Sequence, residues 1–237
     1  MSEELEVLKK LHRGTFQESE LIQLYSQHHD QYRVLVSLLQ QPGFPEKHAV
    51  GIIPKLFLMD LVRVIKNKHT SPGTRKRAEQ EFMSKYARCP LGEKISYLKI
   101  APDSLLSYFV DETDGRLLSV ILQNPSFTED LALRFIHRAA NRFTLYTALC
   151  DTEWIKRPRV AETIAHDSKA PIRVLLLIIP FLSLNQLEKL YKDVNTHDAV
   201  KRQIAEYLAK KNSTLSGSQA HKINDSHDIN EHRFDEE

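Results

Sequence analysis

The chain is poor in glycine, cysteine and tryptophan, and it has no long apolar run. Only 7 of its 237 residues are glycine. Tight-turned β architectures and phosphate-cradling loops both depend on glycine's access to positive φ, so both are disfavoured. Two cysteines, Cys89 and Cys150, cannot by themselves build a disulfide framework or a zinc knuckle. The longest apolar stretch, 174–184, is interrupted by Pro180 and Ser183 and is about half the ~20 residues of a bilayer span. The opening residues, MSEELEVLKKLHRG, are charged and lack the apolar centre of a secretory leader. A cytoplasmic protein without membrane insertion is expected. Metalloprotease, C-x-x-C, nucleotide-loop and nucleophile-elbow patterns are missing, so no catalytic, cofactor or metal residue is assigned.

What is present is ordinary globular material, 41% hydrophobic and 27% charged, which excludes wholesale disorder. The net charge of +2 hides an alternation. Residues 60–99 hold ten Lys/Arg against four acids, residues 101–133 hold one Arg against six acids, and residues 134–159 are basic again. Such alternation predicts distinct surface patches rather than a uniformly basic nucleic-acid binder.

The sequence also repeats. Residues 41–82 align without a gap to residues 167–208, with identities at Pro45/Pro171, Ile52/Ile178, Ile53/Ile179, Pro54/Pro180, Leu56/Leu182, Leu61/Leu187, Lys66/Lys192 and Thr70/Thr196. A third copy shows in its opening phrase, LQQPGFPE at 39–46 against LQNPSFTE at 122–129. Each copy opens an apolar helix on Pro or an acidic residue, and in the two aligned copies a proline-marked end, an amphipathic helix and a basic helix follow. Thr70 and Thr196 are expected to cap the basic helices. No sustained period-two alternation supports strands.

The Leu-Gln-Asn-Pro opening, the Ile-Ile-Pro turn and the basic third helix resemble bacterial HEAT- and armadillo-type repeats, and the leucine-rich-repeat variants whose units open on Asn-Pro. The resemblance covers about residues 34–211. It implies an all-α, right-handed α-α superhelix of about four units of ~42 residues. Residues 1–33 then form a helical cap, 34–211 the repeat domain and 212–237 a disordered acidic tail. Nothing before Val34 matches the iron–sulfur cysteine cluster that some leucine-rich variants carry, so that cofactor is not transferred.

Candidate contact residues are cationic. Arg134, Arg138 and Arg142 step by four and would ridge one helix, with Leu131, Phe135, Ile136 and Phe143 turned inward. Arg75, Lys76 and Arg77 stand at the repeat positions of Lys201 and Arg202, and Trp154 lies beside Lys156 and Arg157. A noncatalytic module gripping a protein or peptide is the expected function, since repeat stacks present extended grooves. The alternative is nucleic acid tracked by the same cations, with Trp154 stacking or wedging. That alternative resembles the HEAT-like alkylpurine DNA glycosylases, which pair Trp with a nearby acid, here Asp151. A third reading takes His137 with His166-Asp167 as metal ligands of a helical phosphohydrolase. Capping and loop roles are expected to account for those histidines. The tail histidines, His221, His227 and His232, lack the spacing of a preformed metal site. Cys150 is expected in the core, and Cys89, beside Arg88, has the more activating surroundings.

Overall fold

The computed structural model describes residues 3–211; the acidic segment 212–237 lies outside them. The described residues are helical, with no strand among them. No helix among them is long and apolar enough to cross a membrane. Within them the chain divides into two compact bodies, one running up to Leu131 and one starting at Ala132.

The N-terminal body begins with α1 (Glu3–Arg13), α2 (Glu18–Gln27) and α3 (Tyr32–Leu39). Acidic residues fill the first turn of α1 and basic residues the last, which suits the helix dipole. Val7 and Leu11, one turn apart, are its buried residues, and α1 packs against α3. Every α3 residue from Val34 to Leu39 is buried. After α4 (Glu46–Ile52) and a 3-10 turn at Ile53–Lys55 comes α5 (Leu58–Lys66). There Leu61, Val62, Val64 and Ile65 face inward while Arg63 and Lys66 face out. Helix α6 (Pro72–Tyr86) lies against α5 and buries Thr74, Ala78, Phe82 and Tyr86 at four-residue intervals. The body continues through α7 (Leu91–Ile100), α8 (Asp103–Leu106), α9 (Gly115–Leu122) and the start of α10 (Glu129–Arg138).

The C-terminal body holds the remainder of α10, α11 (Arg142–Cys150) and a 3-10 turn at Glu153–Lys156. It continues with α12 (Pro158–Ala165), α13 (Ile172–Ile178), a 3-10 turn at Ile179–Phe181, α14 (Leu184–Lys192) and α15 (198–211).

Helix limits recur with the sequence. The 32–39 limits of α3 reappear 83 residues on as α9 and 126 residues on as α12. Adding 126 also carries α4, its 3-10 turn and α5 onto α13, its 3-10 turn and α14, residue for residue. The start of α6 at 72 maps in the same way onto the start of α15 at 198. Pro54 and Pro180 sit inside the 3-10 turns, where a missing N–H interrupts the α ladder. His137 occupies the corresponding place 83 residues beyond Pro54, and there α10 runs unbroken to Arg138.

The connection before each of α4, α10 and α13 is stapled by one polar side chain at a shared position. Gln41 donates to Leu11 O, and buried Asn124 donates to Leu98 O and Ala101 O. Asp167 accepts from Arg142 and Tyr146. The short side chains also fold their own loop: Asn124 Oδ1 accepts from Ser126 N at 2.6 Å and Asp167 Oδ1 from Lys169 N at 3.0 Å. Gln41 is a methylene longer and makes no such turn. At that place Pro42-Gly43 turns the chain, with Gly43 at φ 81°.

The expected Thr70 cap is corrected. Ser71 caps α6, its Oγ accepting from Thr74 N at 3.2 Å, because Pro72 takes the first helical position. Buried Thr70 instead donates to Leu39 O at 3.1 Å. Likewise the residue before α15 is His197, whose Nδ1 accepts from Ala199 N at 3.2 Å, while Thr196 is buried one residue earlier.

Candidate functional site: two cation-lined hollows

The basic helices α6 and α15 each line an open hollow. In the N-terminal body the hollow is bounded by Ile65, Pro72, Arg75, Lys76 and Glu79, with Lys66, Lys68 and residues 102–104 completing it, and holds about 400 Å³. In the C-terminal body a hollow of about 600 Å³ is bounded by Tyr191, Asp198, Lys201, Arg202 and Ala205. Shifting the first five residues by 126 gives the second five in order. Two adjacent cations one turn into a helix, facing the last turn of the preceding helix, are thus a recurring device.

The matched residues of the two hollows differ in the place of their acid, Glu79 in the first and Asp198 in the second. In the first, Lys76 Nζ donates to Tyr108 Oη at 2.6 Å, and Tyr108 Oη donates to Glu79 Oε2 at 3.0 Å. Lys76 also lies 4.0 Å from Glu79 and 5.2 Å from the Tyr108 ring centre. The Tyr108 hydrogen bond, more than its charge or Glu79, holds the Lys76 ammonium above its usual range. In the second hollow Ala205 replaces Glu79, and among the described residues neither Lys201 nor Arg202 has an ion-pair partner. The alignment marked the cations but could not show Tyr108, which arrives from a segment 32 residues away. Lys66 and Lys68 were also missed, although Lys66 has its counterpart in Lys192.

The expected arginine ridge is broken. Helix α10 ends at Arg138, and Asn141 caps α11 by accepting from Thr144 N at 3.1 Å. Arg134 and Arg138 are exposed, but Arg142 is turned onto Asp167 and His137 O. Phe143, expected inward, is 71% exposed because the new helix begins just before it. Arg77 is exposed on α6. Trp154 is half-buried in a 3-10 turn, with Arg157 5.9 Å from its ring centre and Lys156 bound to Glu153 at 2.7 Å.

His137, His166 and Asp167 do line one hollow, together with Arg142 and Glu162. Asp167 is already engaged by Arg142, Tyr146 and Lys169 N, and His166 Nδ1 lies 2.9 Å from Glu162 O. Among the described residues no three of His, Cys, Asp and Glu converge as a metal site requires. Both cysteines are half-buried free thiols. Burial pushes each thiol up, and the Glu93 charge raises Cys89 further. This corrects the activating environment expected at Cys89, since Glu93 outweighs the basic residues nearby.

Comparison with protein-family models, curated proteins and solved structures finds no match, and the reading of the hollows rests on their own chemistry.

Proposed function

We propose that the chain is a noncatalytic binding module, an α-helical repeat protein of the HEAT/armadillo kind, that grips an acidic protein or peptide segment. The supporting observation is the recurrence of the cation pair, Arg75-Lys76 and Lys201-Arg202, in matching hollows 126 residues apart. Between the two hollows the other matched residues all change, Ile65 to Tyr191, Pro72 to Asp198 and Glu79 to Ala205, while the cation pair is kept. Aspartate and glutamate carboxylates suit such pairs as charge-assisted acceptors. The recurring helix limits support stacked repeats, whose stability comes from neighbour contacts and leaves side-chain chemistry free for recognition.

Nucleic acid is the competing partner. The withdrawal of Arg142 leaves fewer cations for a continuous phosphate track, which favours discrete carboxylate sites. A fluorescein-labelled oligoglutamate titrated into the full chain tests the reading. Arg75→Gln/Lys76→Gln and Lys201→Gln/Arg202→Gln should each weaken binding several-fold, and 0.5 M salt should nearly abolish it. Stronger binding to DNA than to oligoglutamate, with a log–log salt slope of several ions, would replace the peptide reading by the nucleic-acid one.

A further inference from the structure

The hollow on α15 has no acid at the place where its counterpart on α6 has Glu79. Glu79 sits beside Lys76 in the first hollow, and Ala205 stands at that place in the second. The acid lining the second hollow is Asp198, which stands at the place of Pro72 in the first turn of α15, where the helix dipole favours a carboxylate. Among the described residues neither Lys201 nor Arg202 forms an ion pair with Asp198, so Arg202 is without the neighbouring carboxylate that Glu79 gives Lys76.

The chain provides acid next door. Residues 212–237 follow directly on α15 and contain Asp225, Asp228, Glu231, Asp235, Glu236 and Glu237 against Lys222 and Arg233, a net charge of −4. We propose that this segment is an intramolecular occupant of the Lys201–Arg202 hollow, a built-in competitor of the acidic partner. Reach is ample: Arg202 lies nine residues before Lys211, about 14 Å along the helix axis. The 26 residues beyond can span up to ~90 Å. Returning past about two and a half helical turns would use only a small part of that length. This inference rests on the cation pairs being the binding residues.

Tethering supplies the energetic advantage. At a local concentration on the order of 1 mM, a tail binding with Kd on the order of 0.1 mM weakens an outside competitor about tenfold. The device is selective, because the first hollow already has Glu79 and Tyr108 on its lysine.

Two measurements on the full-length chain test it. In one, the six tail acids are changed to Asn or Gln, and labelled oligoglutamate is titrated into this variant and the parent. The neutralised chain should bind about tenfold more tightly, and Lys201→Gln/Arg202→Gln should cost more affinity in that background than in the parent. In the other, carbodiimide crosslinking of the monomer is read by mass spectrometry. Lys201 should be joined to tail carboxylates, and Ala205→Glu should reduce that yield several-fold by restoring the missing acid. Equal affinities of parent and neutralised chain, or absence of Lys201 crosslinks, overturn the tail proposal while leaving the acidic-partner reading intact. If neither form binds oligoglutamate, both fail together.

Discussion

Replacing Asp167 by alanine removes the carboxylate that ties α11 to the loop before α13. Its side chain is 8% exposed and accepts from Arg142, from Tyr146 Oη and from Lys169 N. Burial pushes the Asp167 carboxyl upward, but the Tyr146, Lys169 and Arg142 hydrogen bonds and the guanidinium charge outweigh it and hold it below its usual range. Alanine takes away the carboxylate that accepts from the fully buried Tyr146 hydroxyl and leaves it only the Arg142 guanidinium beside it. Breaking a buried charge-assisted set costs about 3–5 kcal/mol. The Arg142 side chain is 27% exposed and can turn to water, which moves the expectation to about 3 kcal/mol. Trp154, the only tryptophan, lies in the same body, so its emission during urea unfolding reports the relevant transition. With a slope near 2 kcal/mol per molar urea, the midpoint should fall by about 1.5 M. Tyr146→Phe should cost about 1 kcal/mol in the parent and nothing, or slightly stabilise, in the Asp167→Ala background. The sign of the pH effect follows from the lowered carboxyl. Its contribution is complete above the ordinary carboxylate range near 4 and is lost as pH falls through the depressed folded value. The difference between parent and Asp167→Asn should therefore be constant above about pH 5 and close below pH 4. A midpoint shift under 0.5 M, or an equal Tyr146→Phe cost in both backgrounds, would refute the staple.

Gly43 and Gly51 both have open space where a Cβ would stand, but only Gly43 has positive φ. Gly43→Ala should destabilise by about 1–2 kcal/mol and Gly51→Ala, inside α4, should stabilise by about 0.5–1 kcal/mol, both measured by helical circular dichroism during urea unfolding. The raised thiols should make Cys89 and Cys150 alkylate more slowly than a free cysteine at pH 8, as followed by mass spectrometry. Glu93→Gln should accelerate Cys89 alone; an unchanged Cys89 rate would remove Glu93 as a cause.

The spacing of Pro54 and Pro180 was readable because a proline acts through its own backbone, and the local consequence follows wherever it stands. The paired cations were readable for a related reason. They sit at fixed offsets from buried anchors, such as Leu61/Leu187 and Thr70/Thr196, that set the face of the next helix. Arg142 was misread because a four-residue step describes one face only while the helix continues. Asn141 begins a new helix, and cap preference outweighs charge periodicity there. Tyr108 and the Tyr146–Asp167 contact had no signature, since each joins segments at least 21 residues apart whose approach depends on packing.

His137 tests which of these explanations is causal. Its copy keeps the α4-like start at 129 and the end at 138, yet has no 3-10 turn and no proline. In the other two copies the turn coincides with proline, and the residue after each turn, Leu56 or Leu182, is buried in extended backbone. The corresponding residue after α10 is Ala139, also buried, so the chain descends into the core there without proline's help. The descent is therefore dictated by the apolar anchor, and the proline determines how the preceding turn is wound. The apolar anchors are thus the more fundamental record of the repeat. The cation pairs keep step with buried positions as well, because Arg75 and Lys201 each follow a buried threonine, Thr70 or Thr196, by five residues.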